Sequence, residues 1–273
     1  MKRIELRSAI PVVGALLALL CFAPNGLHVA MAQEAAAPTT PGASAPVPRL
    51  SDGHPDLSGV WWGGGDIGAR GGGALRRPSG TPPPSFTSLY QPWAAQRAAS
   101  LSDKDDPTLR CVPVAFGTLG VRLWSVGAVG QIVATPKTVV LLTETFRDFQ
   151  LVPTDGRPHR DDQPPTYRGD AVGHWEGDTF VVDVTNFTDD TWIYAEGRVS
   201  LHSDALHIVE RYRRVDANTL EIEATVEDPK VLTGPWTAPK QTLRLAPFDQ
   251  LLTLNCSSVE ADAMIQSASQ PKP

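Results

Sequence analysis

The feature that most constrains the fold is a series of short strand-like segments that follows Gly130 and is punctuated by turn sequences. Glu176-Gly177-Asp178 and Asp216-Ala217-Asn218 are two of these turns. No segment of helical period separates the strands, so chain neighbours are expected to pair as antiparallel hairpins. Because closure removes exposed sheet edges, the pattern predicts an all-β fold, an antiparallel meander closing into a lipocalin-like barrel or a strongly curled sheet.

The predicted strands begin with a short apolar segment, 56–62, that enters the fold. The others are 131–134, 138–147, 172–175, 179–186, 206–215, 219–227, 236–247 and 251–257. One or two short helices are expected as well. The better candidate covers 92–101, because Pro92 suits a first helical position, and a helical turn is expected over 109–111.

The N-terminus has the order of a secretory signal peptide. Lys2 and Arg3 precede a small and apolar run over 9–23, and Ala30-Met31-Ala32 supplies an A-x-A cleavage site. The apolar run is too short for a bilayer span, so cleavage after Ala32 and a periplasmic or secreted location are predicted, with no membrane span afterwards. The expected organisation is a signal peptide (1–32), a disordered linker (33–50), a single β domain (51–260) and a disordered tail (261–273).

Charge and motif content exclude several classes of function. The net charge is −6 and the predicted mature chain lacks a Lys/Arg cluster, which argues against a nucleic-acid partner. Gly63, Gly65 and Gly68 match G-x-G-x-x-G, but the Gly- and Pro-rich residues that follow cannot form the helix that a dinucleotide site needs. H-E-x-x-H and C-x-x-C pairs are absent, so no zinc site and no cofactor are predicted.

Two cysteines, Cys111 and Cys256, remain after removal of the predicted signal peptide. In an oxidising compartment an even pair predicts a disulfide, which would tie the front of the domain to its last strand. The alternative is a pair of buried thiols, because spacing alone does not bring two Cα atoms together.

The segment 206–215 has charged residues on both faces of a predicted strand. Leu206, Ile208, Glu210 and Tyr212 share one face, while His207, Val209, Arg211 and Arg213 share the other. Glu221 and Glu223 on the next strand are expected opposite Arg211 and Arg213, which favours a solvated, salt-bridged surface.

The connecting segments hold a concentration of titratable and aromatic side chains, and connections on a rigid scaffold commonly carry function. Tyr167, Trp192 and Tyr194 are expected to form aromatic walls of a small-molecule pocket. The chain has no G-x-S-x-G elbow, which leaves general acid–base chemistry by a histidine with a carboxylate. His202 is the first candidate for the base.

Several sequence blocks stand out together: Pro55-Asp56-Leu57-Ser58-Gly59-Val60-Trp61, Asp155-Gly156-Arg157-Pro158-His159, Gly173-His174-Trp175-Glu176-Gly177-Asp178-Thr179, Thr191-Trp192, and His202-Ser203-Asp204-Ala205-Leu206-His207. With these blocks the chain resembles a large family of secreted, mostly uncharacterised bacterial proteins. The family implies no single activity. Its occurrence in bacteria that degrade aromatic compounds implies an apolar or aromatic ligand.

The leading hypothesis is a barrel that encloses an apolar, aromatic small molecule and acts as a cofactor-free lyase or isomerase. His202 or His174 would be the base, and Asp155 or Glu210 would orient it. Arg157 would clamp the ligand or stabilise an anion. The alternatives are a periplasmic binding or carrier protein without turnover, and an interaction protein that uses the Gly/Pro loop 63–85.

Overall fold

The computed structural model describes residues 45–63, 84–115, 129–144, 148–193, 195, 199–251, 262 and 266, which belong to one compact unit. Its strands are β1 (Gly59–Trp62), β2 (Val129–Ala134), β3 (Thr138–Thr143), β4 (Phe149–Pro153), β5 (Asp170–Glu176), β6 (Thr179–Thr185), β7 (His207–Asp216), β8 (Thr219–Glu227), β9 (Trp236–Thr237) and β10 (Gln241–Leu245). One α-helix, α1 (Pro92–Ala99), and three 3-10 helices (Phe86–Leu89, Asp103–Asp105 and Pro107–Arg110) complete the described elements.

The strands form one nearly closed, antiparallel, barrel-shaped sheet, which confirms the predicted fold class. The order across the sheet is β4-β3-β2-β1-β10-β8-β7-β6-β5, and β9 pairs with β8. β10 lies between β8 and β1, so strands from the two ends of the domain meet in the middle of the sheet.

The two ends of the sheet, β4 and β5, approach each other around Gly173. The backbone N–H of Gly156, just after β4, donates to the Gly173 carbonyl oxygen of β5 at 2.9 Å. A Cβ on Gly173 would lie 2.4 Å from the Phe180 ring and 2.9 Å from Val152 Cγ1. Only glycine therefore allows β4 to pack this closely against β5.

Buried side chains fill the inner face of the sheet. Trp61, Phe180, Tyr212, Leu220 and Ile222 are among the least exposed of them. The predicted alternation on β7 is confirmed, because Leu206, Ile208, Glu210 and Tyr212 are all buried. On the outer face the register places Arg211 opposite Glu223 and Arg213 opposite Glu221, as expected. The ion pairs formed there are different ones, from Lys240 to both glutamates and from Arg211 to Glu176.

Four elements differ from the sequence prediction. The chain forms a strand, β4, where none was expected. The predicted strand 236–247 is divided into β9 and β10, and Pro239, which has no N–H to donate, lies at the break. α1 begins at Pro92 as predicted and ends two residues earlier, at Ala99. The predicted turn at 109–111 becomes the 3-10 helix Pro107–Arg110.

Several predictions fall outside the described residues. These are the signal peptide, most of the linker, the strand 251–257 beyond Leu251, Cys256, Tyr194 and most of the Gly/Pro loop. Residues 45–50 already contact the domain, since Ala217 N–H donates to the Ala45 carbonyl and Arg49 pairs with Asp178 at 2.8 Å. Within the described part of the chain, no helix has the length and apolar character of a membrane span.

Candidate functional site

A cavity of about 450 Å³ lies among the segments that connect the strands. Trp93 and Arg97 of α1 line one side, together with Asp105 and Arg110 from the 3-10 helices. The other side is the β6–β7 connection, which contributes the residues 189–192 and 201–203. The described residues that line this cavity all lie outside the strands, so its position differs from the ligand site inside the barrel that the sequence suggested.

Hydrogen bonds from distant parts of the chain hold the β6–β7 connection in place. Thr191 donates from its hydroxyl to the Pro113 carbonyl at 2.6 Å, and Ala115 N–H donates to the Trp192 carbonyl at 3.1 Å. Further along, Leu201 N–H donates to the Tyr90 hydroxyl at 2.8 Å. Long connections without such anchors are mobile, so these bonds give the cavity wall a defined shape.

His202 lies in this wall with its two ring nitrogens in different surroundings. Its side chain is 6% exposed, and Nδ1 lies 3.0 Å from the Ser203 carbonyl oxygen. A carbonyl only accepts, so Nδ1 carries the proton and Nε2 of the neutral ring has a free lone pair. Nε2 is buried and has no hydrogen-bond partner among the described residues.

The peptide that orients His202 is itself fixed by the buried carboxylate of Asp228. Asp228 accepts from the Ser203 N–H at 2.6 Å and from the Ser203 hydroxyl at 2.8 Å. It also accepts from the backbone N–H groups of Lys230 and Val231, each at 3.2 Å. Asp228 therefore connects the turn after β8 to the residue that selects the His202 tautomer.

Burial favours the neutral form of His202. The loss of hydration lowers the pKa of His202, while the Ser203 carbonyl and the charges of Asp228, Asp189 and Asp190 oppose this shift to a smaller extent. A neutral imidazole with a free Nε2 is the form of histidine that can accept a proton from a bound molecule.

Of the predicted site residues that the structure describes, His202 and Trp192 line this cavity and the others do not. Asp155 and Arg157 form an exposed pair, with Nε and Nη2 of Arg157 at 2.9 and 2.7 Å from the two carboxylate oxygens. The Arg157 side chain lowers the pKa of Asp155 to about 2. His174 is exposed on β5, with Nε2 3.2 Å from Glu176 Oε1. Tyr167 is half-buried and does not line the cavity.

Glu210 lies on the inner face of the barrel and not beside His202. Its Oε2 accepts from the Tyr212 hydroxyl at 2.8 Å, and Oε1 is buried without a partner among the described residues. Burial raises the pKa of Glu210, and the Tyr212 hydrogen bond and the Arg168 charge oppose this rise. Glu210 therefore does not orient His202, contrary to one of the roles considered from the sequence.

Sequence reasoning missed three contributors to the cavity and its support, Trp93, Arg97 and Asp228. Trp93 and Arg97 share the cavity-facing side of α1. Their four-residue spacing, which places two side chains on one face of a helix, is the sequence signal that could have identified them. Asp228 precedes Pro229 in a turn, and nothing in its local pattern indicates the long-range bond to Ser203.

No protein-family model, curated protein or solved structure matches this chain.

Proposed function

We propose that this chain is an exported protein that binds an apolar, aromatic small molecule in the cavity beside His202 and acts on it as a cofactor-free lyase or isomerase. The observation that carries the proposal is the buried His202, whose Nδ1 lies against the Ser203 carbonyl and whose Nε2 has no hydrogen-bond partner in the described part of the chain. Export and a periplasmic or secreted location rest on the signal-peptide pattern of residues 1–32.

The lining of the cavity supports an aromatic ligand with a polar group. Trp93 and Trp192 offer ring surfaces, and Leu101 and Leu201 add apolar area. Among the described residues that line it, Arg97 and Arg110 are cationic and Asp105, Asp189 and Asp190 are acidic. A guanidinium is suited to stabilise an enolate or carboxylate oxygen on such a ligand.

In the proposed step the ligand uncovers Nε2 of His202, which is buried in the free protein, and Nε2 accepts a proton from a C–H bond next to a carbonyl group. The electron pair of that bond forms a C=C bond to the carbonyl carbon, whose π electrons move to the oxygen and give an enolate. In an isomerisation the enolate forms its carbonyl again and the imidazolium returns the proton to another carbon of the conjugated system. In an elimination the carbonyl forms again, a C=C bond forms to the neighbouring carbon, and the leaving group on that carbon departs with the electron pair of its bond and takes the proton from the imidazolium. The Ser203 carbonyl stays hydrogen bonded to Nδ1–H throughout, which stabilises the transient imidazolium.

A non-catalytic carrier is the second candidate, and one observation favours it. The partner of His202 Nδ1 is a backbone carbonyl and not a carboxylate, so an imidazolium at this position gains less stabilisation than in a His–Asp pair. A carrier would bind the same ligands without converting them.

The test is a thermal-shift screen of the mature protein against phenols, aromatic acids and aryl alcohols, followed by a search for turnover of every compound that binds. The proposal expects at least one compound to raise the melting temperature by binding linkage, and His202→Ala to abolish its conversion. His174→Ala is the matched control, since His174 lies outside the cavity, and it should leave conversion unchanged. Binding without conversion would support the carrier, and the absence of any stabilising compound would contradict both candidates.

A further inference from the structure

The charged side chains around the proposed ligand cavity are divided between its two walls. The helix wall, formed by α1 and the 3-10 helices, contributes the guanidinium groups of Arg97 and Arg110. The connection wall, formed by the β6–β7 connection, contributes the carboxylates of Asp189 and Asp190. All four residues are exposed, so their charges stand at the rim of the cavity.

These four groups form no ion pair and no side-chain hydrogen bond within the part of the chain that the structure describes. The helix wall holds one more charged residue, Asp105, whose Oδ2 accepts from the N–H and the hydroxyl of Ser102 at 2.9 and 3.0 Å. Lys230, whose charge interacts with the connection wall, pairs with Asp204. The rim therefore offers two guanidinium groups and two carboxylates to a ligand.

Below the rim the cavity is aromatic and apolar. Trp192 is 7% exposed and lies in the connection wall together with the buried Thr191 and His202. Trp93 is 53% exposed and lies in the helix wall, where its indole N–H donates to the Lys230 carbonyl at 3.0 Å and fixes the ring. A ligand that fits both zones has an aromatic body and a charged head.

A head group with one sign of charge suits only one of the two walls. A lone carboxylate is attracted by the arginines and repelled by the aspartates across the rim, and a lone ammonium group meets the reverse arrangement. A head with both charges can turn each towards its complement, and such complementarity selects one class of ligand against others. The cavity volume of about 450 Å³ lies within the range of small-molecule sites.

We propose that this cavity binds an aromatic amino acid, or a compound with the same zwitterionic head. Arg97 and Arg110 donate to its carboxylate, for which a guanidinium has two N–H groups in a suitable geometry. Asp189 and Asp190 accept from its ammonium group, and the ring lies against Trp192. This assignment rests on the proposed function, because it places the ligand in the same cavity, but it requires binding only and not turnover.

The first test is calorimetric titration of the mature protein with four phenyl compounds that differ in the charges of the head. Phenylalanine carries both charges, 3-phenylpropanoate keeps the carboxylate, 2-phenylethylamine keeps the ammonium group, and 3-phenylpropanol has neither. We expect phenylalanine to bind most tightly and the alcohol most weakly. Loss of either charge should weaken binding about 3- to 10-fold, because contacts between partly exposed charges are modest.

Substitutions then assign each charge to its wall. Arg97→Gln should weaken the binding of phenylalanine and of 3-phenylpropanoate by a similar factor, without weakening that of 2-phenylethylamine. Asp190→Asn should weaken phenylalanine and 2-phenylethylamine, without weakening 3-phenylpropanoate. Arg160→Gln and Asp162→Asn are the matched controls, since these residues form an exposed pair outside the cavity, and they should change no affinity. The melting temperature of each variant is measured first, so that affinities are compared only between folded proteins.

Equal binding of phenylalanine and 3-phenylpropanoate would overturn the assignment, and so would an equal loss for all compounds in folded Arg97→Gln. Either result would leave the proposed aromatic site intact, as would stabilisation by other compounds of the screen with no binding of phenylalanine, which also overturns the assignment. Phenylalanine binding with the expected pattern but without conversion would support the assignment and favour the carrier over the enzyme. Binding of no aromatic compound would contradict the assignment and the proposed function together.

Discussion

Replacement of Asp228 by Asn tests whether this carboxylate holds the wall of the cavity. The side chain is 2% exposed and accepts hydrogen bonds from Ser203, Lys230 and Val231. Asn keeps the size and one oxygen of the side chain, but its NH₂ group would face the Ser203 N–H, so two donors would oppose each other. The Ser203 N–H then lacks an acceptor. The hydrogen bonds from the Ser203 hydroxyl, Lys230 and Val231 remain, but their acceptor is no longer charged.

The expected cost of Asp228→Asn follows from these losses. A buried unsatisfied donor together with weakened charged hydrogen bonds amounts to about 2–4 kcal/mol of unfolding free energy. In a domain of this size that is a fall in melting temperature of about 4–16 °C. The matched control is Asp204→Asn, because Asp204 is an exposed neighbour whose partner is the exposed Lys230. Its melting temperature should stay close to that of the parent.

The assay combines thermal unfolding with ¹⁵N-detected NMR of the histidine side chains. In the parent, His202 should show a protonated Nδ1 and a bare Nε2, and in Asp228→Asn this tautomer should become mixed as the Ser203 peptide loses its anchor. A variant as stable as Asp204→Asn, with an unchanged His202 tautomer, would refute the role given to Asp228.

Three further predictions concern packing, protonation and the disulfide. Gly173→Ala should destabilise the barrel by about 1–3 kcal/mol in a urea titration, because its Cβ meets Phe180 and Val152. Gly234→Ala is the control and should have little effect, because a Cβ at that position has nothing within 4 Å. Equal effects of the two substitutions would show that β4 and β5 are not in close contact. Burial lowers the pKa of His202, so the unfolded state binds more protons than the folded state as the pH falls. The free energy of unfolding should therefore decrease as the pH is lowered from about 7 to about 5, and His202→Gln should diminish this loss. The same pH profile in His202→Gln and in the parent would contradict this prediction. The predicted bridge between Cys111 and Cys256 should appear as a linked peptide pair in a non-reduced digest and contribute about 2–4 kcal/mol to stability; two alkylatable thiols in the native protein would argue for the alternative.

The fold class was predictable because its signals are local. Short turns such as Asp216-Ala217-Asn218 fix the hairpins, and the structure agrees. Alternation along 206–215 divides the side chains between two faces, but charged residues on both faces leave open which face is buried. The pairing of β10 with β1 and the approach of β4 to β5 join segments far apart in the chain. Hydrophobic pattern does not encode such partners, which depend on packing across the whole sheet.

The site was predictable in part. His202 was selected for its residue type and its Ser203-Asp204 neighbours, and the structure places it at the cavity with Trp192. Asp155, Arg157, His174 and Glu210 were selected in the same way, but two lie in a local surface pair, one is exposed on β5 and one points into the barrel. Residue type indicates which chemistry a side chain can perform. Only the path of the long connections decides which side chains meet.

The most direct test of the central claim is to locate a bound aromatic compound by NMR. A compound from the thermal-shift screen is titrated into labelled mature protein, and the side-chain signals of His202, Trp93 and Trp192 are followed together with those of His174. The proposed site predicts saturable shifts at the first three and a constant His174 signal. Stabilisation by the compound with no change at His202 or at either tryptophan would contradict the proposed site.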